Sequence, residues 1–255
     1  MSGFSDWWHF FFPGASGLNI TISPGVLFHL GPLPVTTTLI LQLVVIALIC
    51  SVMISARVHW QKIPSKFQVV IEWLVMAVYN QVQGITGNHE RTRKIFPLAF
   101  CLFTFILVAN LLTLFPGLGA ISYGNINLFR SVLADYSMIL VMTLIVIITC
   151  QVAFIMTNGL GKYLKKFFNF SSPIAFFLGL MDVVGELAKI LSLSFRLFGN
   201  VFAGDVLMAV VTALLPYFIP FPFFALTTFS SVIQAYVFAL LSTIFINSSL
   251  DVVES

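Results

Sequence analysis

Five ionisable side chains, Asp182, Glu186, Lys189, Arg196 and Asp205, interrupt an otherwise apolar run between Pro173 and Leu215. At membrane depth each such group costs about 2.5–3.5 kcal/mol on insertion scales, so five in one run require a purpose. Wound as a helix at about 100° per residue, four of them share one stripe. Measured from Asp182, Glu186 lies at about +40°, Lys189 at about −20°, Arg196 at about −40° and Asn200 near 0°. Asp205 falls about 180° from Arg196, on the opposite side. A separate stripe at roughly 240–300° holds Gly185, Ala188, Ser192, Gly199 and Ala203, small residues that let a neighbouring helix come close. Arg196 borders that smooth track.

Two readings of these charges compete. Lys189 has acids three and seven residues before it, so Asp182, Glu186 and Lys189 form a set that can neutralise itself and merely hold a bundle together. Arg196 has no acid three or four residues to either side. Arginine is also the cation that burial does not realistically discharge. A fixed charge beside a helix-accepting track is suited to acting on something outside the chain. Carboxylates and amides on both sides of it can order water, giving access from each compartment. The arginine between them repels a cation crossing directly and favours ionisation of any carboxylate brought beside it.

Of the 255 residues, 59% are hydrophobic and 8% are charged, and the mean hydropathy is +1.04. Soluble domains carry about a quarter charged residues, so this composition excludes one. It predicts an all-α polytopic membrane protein, a single integral-membrane domain over residues 1–255 with the lipid bilayer as its surroundings. The basic residues sit in short loops rather than a patch, which gives no reason to expect nucleic acid. Cys50, Cys101 and Cys150 each fall within a predicted span, without metal spacing, and read as small apolar core residues. His9, His29, His59 and His89 are isolated, with no HExxH, no Ser/His/Asp set and no GxxxxGK[ST] phosphate loop. No catalytic residues, metal or cofactor are therefore expected, and a membrane-embedded enzyme is disfavoured.

Residues 1–37 contain no Lys or Arg, are broken by four prolines, and read as an irregular extracytoplasmic segment. Trp7, Trp8 and Phe10 to Phe12 lack a preceding basic residue, so they suggest an interfacial aromatic stretch rather than a cleaved signal. Thr38 to Val58 is the first predicted span. Residues 64–85 either lie on the surface as an amphipathic helix or dip deeper through their apolar centre. A basic knot, Arg91, Arg93 and Lys94, precedes the second span, Ile95 to Phe115; Asp135 opens a third that reaches about Thr157.

Of the twelve Lys and Arg, six lie between Arg57 and Lys94, three between Lys162 and Lys166, and one at Arg130. The positive-inside rule then places both basic loops in the cytoplasm, the N-terminus outside and the C-terminus inside, with about five crossings. The fourth, Ile174 to Leu215, is roughly 63 Å of helix against ~30 Å of hydrocarbon. It must break or slant strongly. Prolines 216, 220 and 222 turn it into a last helix, about Phe223 to Ser249, so that residues 173–250 form a slanted hairpin. Thr227, Ser231 and Gln234 share a face within about 60° and offer a second polar stripe to the first. Hydroxyls in such helices often bond only their own backbone, whereas the Gln234 amide needs several partners.

LSLSFRLFGNVFAGD, with Gln234 downstream, resembles subunit a of the F-type ATP synthase membrane sector. The resemblance extends to SPGVLFHLGPLPVT, PSKFQVVIEWLVMAVYNQVQGI, FTFILVANLLTLFPG and GELAKILSLSFRLFGN, most of the chain. It implies a non-catalytic stator subunit in which Arg196 faces a rotating ring of c subunits and two half-channels bring ions to that ring. Asn200, Asp205 and Gln234 match polar positions of the half-channels, with Asp182, Glu186, Lys189 and Ser192 beside them. Asp135 matches an acid opening the preceding span, and Asn110 an amide in the second. The implied partners are the c ring, b-type peripheral stalk subunits and the rest of the synthase. Two departures stand out. Asp205 replaces the Glu usual in bacterial relatives, and Thr227 stands where some relatives place a histidine or acid that pairs with it. Gly199 resembles bacterial and plastid members, which implies a bacterial plasma membrane, with the thylakoid membrane as the alternative. A stand-alone channel or secondary transporter is the competing reading; the absence of a visible internal repeat weakens it.

Overall fold

The computed structural model describes residues 26–30, 33–58, 65–114, 122–123, 126–127, 132–167, 173–214 and 220–251. Six α-helices dominate: α1 (Thr37–Val58), α2 (Lys66–Thr86), α3 (His89–Leu114), α4 (Tyr136–Phe167), α5 (Pro173–Leu214) and α6 (Pro220–Leu250). Two short antiparallel hairpins accompany them, β1 (Val26–Leu30) with β2 (Leu33–Thr36), and β3 (Ser122–Tyr123) with β4 (Ile126–Asn127). The first hairpin corrects the reading of 1–37 as irregular over its last third. Val26–Leu30 (VLFHL) is a short, mostly apolar run, consistent with a strand, that the surrounding prolines obscured. Residues 1–25, including the aromatic stretch, lie outside the described residues, as do residues 215–219 of the proline turn.

Helix ends follow local chemistry. The Ser65 hydroxyl accepts from the Gln68 backbone N–H at 3.3 Å and so caps α2. Gly87 ends it with φ 63°, a left-handed turn that glycine adopts without a Cβ penalty, and donates to Gln83 O. The chain reverses there. α2 folds back on α3, with the Thr86 and Thr92 hydroxyls 2.6 Å apart and Tyr79 edge-on to Phe96. Helix α3 begins at His89, so Arg91, Arg93 and Lys94 ride on its first turns rather than in a loop. At Gly159 the backbone of α4 leaves helical geometry (φ 81°, ψ 157°), close to the expected end of the third span. Pro220 and Pro222 fall in the first turn of α6, where a missing N–H costs nothing.

Four helices, α1, α3, α4 and α6, are long and apolar enough to cross a membrane. Their outward faces carry large exposed apolar side chains, among them Leu43, Ile54, Ile148 and Met156. So extensive an apolar surface suits hydrocarbon, not water. The core lies between α3 and α6, closed by Ile106, Ala109, Phe238 and Ala239, with α4 and α5 packed alongside. Cys150 is buried there, but Cys50 and Cys101 are exposed, correcting the view that all three are core residues.

Helix α5 is unbroken over 42 residues. Of the two expectations for it, a break or a slant, the break is removed. Orientation is checked by labelling. In a background lacking the three cysteines, a cysteine replacing Lys162 is expected to react only with a reagent supplied from the cytoplasmic side. Reaction from outside alone would invert the topology.

Candidate functional site

Helix α5 shows three faces. Leu193, Leu197 and Val201 are buried against the rest of the chain. Phe195 and Phe198 stack around the Tyr136 ring of α4, at centroid distances of 5.6 Å each. The third face is open: Gly185, Ala188, Ser192, Gly199 and Ala203 are all exposed, and Arg196 is exposed at their border. A Cβ built on Gly185 or Gly199 meets nothing within 4 Å. The chain's own packing therefore does not require glycine at either place. Among the described residues, Arg196 makes no hydrogen bond or ion pair.

Polar groups gather on α5 to either side of Arg196. Toward its C-terminal end, where α3 finishes and α6 begins, a cavity of about 300 Å³ is lined by Asn110, Thr113, Asn200, Asp205, Thr227, Ser230 and Ser231, with Met208 and Leu226 among its apolar walls. That volume admits several waters, and the lining supplies the multiple partners each water needs. Asn110 Nδ2 donates to Ser231 O at 3.4 Å, and the Ser230 hydroxyl donates to Asn200 Oδ1. Thr227 donates to Phe223 O and Phe224 O on its own helix, at 3.1 and 3.0 Å. It is thus a lining hydroxyl rather than a hydrogen-bond partner for Asp205. Gln234 is 8% exposed, and its Nε2 has no acceptor among the described residues. A buried donor left unmet by protein calls for an explanation.

Toward the N-terminal end of α5, Lys189 Nζ donates to Glu186 Oε1 at 3.0 Å and lies 5.6 Å from the Phe245 ring centroid. The self-neutralising reading holds for that pair. Asp182, one turn further, is exposed and stands outside it. Nearby in the fold, Arg91 pairs with Asp251 at 2.7 Å, tying the start of α3 to the end of α6.

Asp135 is not among the cavity-lining residues. Its Oδ1 accepts from Ser137 N at 3.0 Å, the bond of a helix cap, and its Oδ2 from the Thr38 hydroxyl at 3.4 Å. Ser192 stays on the open track. Three contributors escaped sequence reasoning: Thr113 and Ser230, which line the cavity, and Tyr136, which grips the aromatic face. The heptad-like spacing of Thr227, Ser230, Ser231 and Gln234 was the available signal for Ser230.

The family model of the ATP synthase A chain matches residues 36–247. The ATP synthase subunit a of Moorella thermoacetica is 31% identical over 225 residues, 88% of this chain and 95% of the relative. That of Geotalea daltonii is 31% identical over 210 residues, 81% and 84% of the two chains. That of Mycobacterium bovis is 32% identical over 228 residues, 86% and 87%.

Proposed function

We infer the function from one premise: this chain belongs to the ATP synthase A chain family. It is the stationary subunit of the synthase membrane sector that passes ions to and from a ring of c subunits, and it couples that flow to rotation and ATP synthesis. The observation that carries this reading is Arg196, exposed and without an ion pair or hydrogen bond among the described residues, at the border of an open, small-residue face. An exposed charge in an apolar setting gains most from an acidic partner that comes to it. The c-ring carboxylate is that partner.

A protonated carboxylate arrives beside Arg196, and the guanidinium stabilises it as it ionises, so that the proton leaves by one half-channel. The fixed charge meanwhile blocks a direct leak between the two. The cavity between Asn110 and Ser231 is the extracytoplasmic half-channel, with Asn200 and Asp205 as its polar wall; the buried Gln234 follows Ser231 by three residues on α6 and is not itself part of the lining. The exposed Asp182, beside the Glu186–Lys189 pair, belongs to the cytoplasmic half-channel. The subunit sits in the plasma membrane with its N-terminus outside, beside b-type peripheral stalk subunits.

Gly199→Leu tests the open face. A Cβ at 199 meets nothing within 4 Å among the described residues, so the subunit should fold and insert normally. ATP-driven pumping should nevertheless fall at least about tenfold, because a branched side chain now stands where the ring helix passes at close range. Val201 is not a suitable control: it is buried at 8% exposure, although it lies about 200° around the helix from Gly199. Val141→Phe, on the exposed face of α4, adds similar bulk and should pump normally. Equal tolerance of both substitutions would remove the case for a partner on that face.

A further inference from the structure

We propose that Tyr136 is a positioning residue that sets the rotation of α5 about its own axis, and through it the direction in which Arg196 points. The inference rests on the reading of Arg196 given above. A helix held along one buried face can roll. Leu193, Leu197 and Val201 hold α5 along one face only. A roll of about 30° carries a side-chain tip ~5–6 Å from the axis through about 3 Å, enough to break a charge-assisted contact.

The second hold is Tyr136. Its ring lies nearly parallel to Phe195, at 21°, and nearly perpendicular to Phe198, at 80°, both at 5.6 Å. The two phenylalanines bracket Arg196 in sequence, and Phe198 stacks in turn on Phe202, at 5.5 Å and 12°. The hydroxyl stands 3.5 Å from Ser194, which is fully buried and bonded to Ile190 O, so the aromatic stack is the principal hold. On the helix wheel this aromatic face lies roughly 130° from the centre of the buried face, and the open track lies roughly 85° beyond it. Two holds at that separation leave one rotational setting, with Arg196 outward.

Tyr136 is itself anchored. It follows a 3₁₀ turn, Val132–Ala134, whose three residues are buried at 1, 0 and 5% exposure among α1, α3, α4 and α5. Asp135 caps α4 beside it and accepts from Thr38 of α1. The ring therefore presents a fixed surface to α5. This also gives Asp135 a use that involves no proton.

The test uses the whole synthase in inverted membrane vesicles, comparing Y136F, Y136L and F198L. Two quantities are read: ATP-driven proton pumping per ATP hydrolysed, and photo-crosslinking to the c subunit from a single cysteine placed at 192 or at 187. Position 192 is on the track, and 187 lies roughly 140° away from it. Y136F keeps the ring and should pump within about twofold of the parent. Y136L and F198L should lower pumping at least fivefold with unchanged amounts of subunit. In both, the preference for crosslinking from 192 over 187 should drop at least threefold. A merely structural role would not move that ratio. Unchanged pumping and crosslinking in both leucine variants would overturn the proposal. So would loss equal to Y136L in Y136F, which would assign the role to the hydroxyl, and so would failure of both leucine variants to accumulate, which would make the contact a folding requirement. R196A, run alongside, separates the premises: if it pumps normally, the reading of Arg196 itself is wrong.

Discussion

Arg196→Ala is expected to lower ATP synthesis and ATP-driven pumping by at least a factor on the order of 100, the scale seen when a preorganised charge-stabilising donor is removed. The subunit itself should insert and assemble. Arg196 is exposed and makes no ion pair or hydrogen bond among the described residues, so truncation removes no internal contact. Stability and function are thereby separable at this position. On the proposed reading the charge is also the barrier between two half-channels, so vesicles carrying the variant should leak protons passively. Each proton crossing 100 mV releases ~2.3 kcal/mol, and a leak dissipates all of it. Pumping is followed by quenching of a pH-sensitive dye, and assembly by immunoblot. Loss of the subunit from the membrane would show that Arg196 is structural.

Gln234→Leu should reduce pumping roughly tenfold, the cost of one well-placed hydrogen bond. The substitution keeps size nearly constant at a site of 8% exposure, so packing against the core is preserved. The Gln234 Nε2 finds no acceptor among the described residues, and removing an unmet buried donor leaves stability unchanged or raised. What disappears is a buried donor that a water held within the bundle could meet. Normal pumping with a normal amount of subunit would reduce Gln234 to packing.

Much of this site was legible because membranes make polar residues expensive. Five charges in one apolar run drew the eye to α5, and the 100° increment alone separated the Arg196 stripe from the small-residue track. The structure leaves that whole track exposed, as the wheel implied. The wheel describes one helix at a time, however. It did not show that Val201 turns inward, that Thr113 of α3 meets Ser230 of α6 across a cavity, or that Tyr136 grips Phe195 and Phe198. Each of those depends on the register between helices, which packing decides. The β1–β2 hairpin was missed for another reason: proline is a strong breaker signal, and four of them outweighed a short apolar run. Asp135 stood out only through the resemblance, as an acid opening a span; its second partner, the Ser137 backbone N–H at the start of α4, depends on local backbone geometry that the residue pattern does not show.

The central claim is that Arg196 acts through its fixed charge and planar fork on a carboxylate outside the chain. Arg196→Lys tests it most directly, because lysine retains a positive charge at neutral pH only where burial permits and lacks the fork. The measurement is proton-driven ATP synthesis by the complete synthase reconstituted in vesicles, with an imposed pH gradient and potential. The account predicts synthesis at background level with the subunit fully assembled; near-normal synthesis by Arg196→Lys would contradict the requirement for the fork, and near-normal synthesis by Arg196→Ala in the same vesicles would contradict the mechanism as a whole.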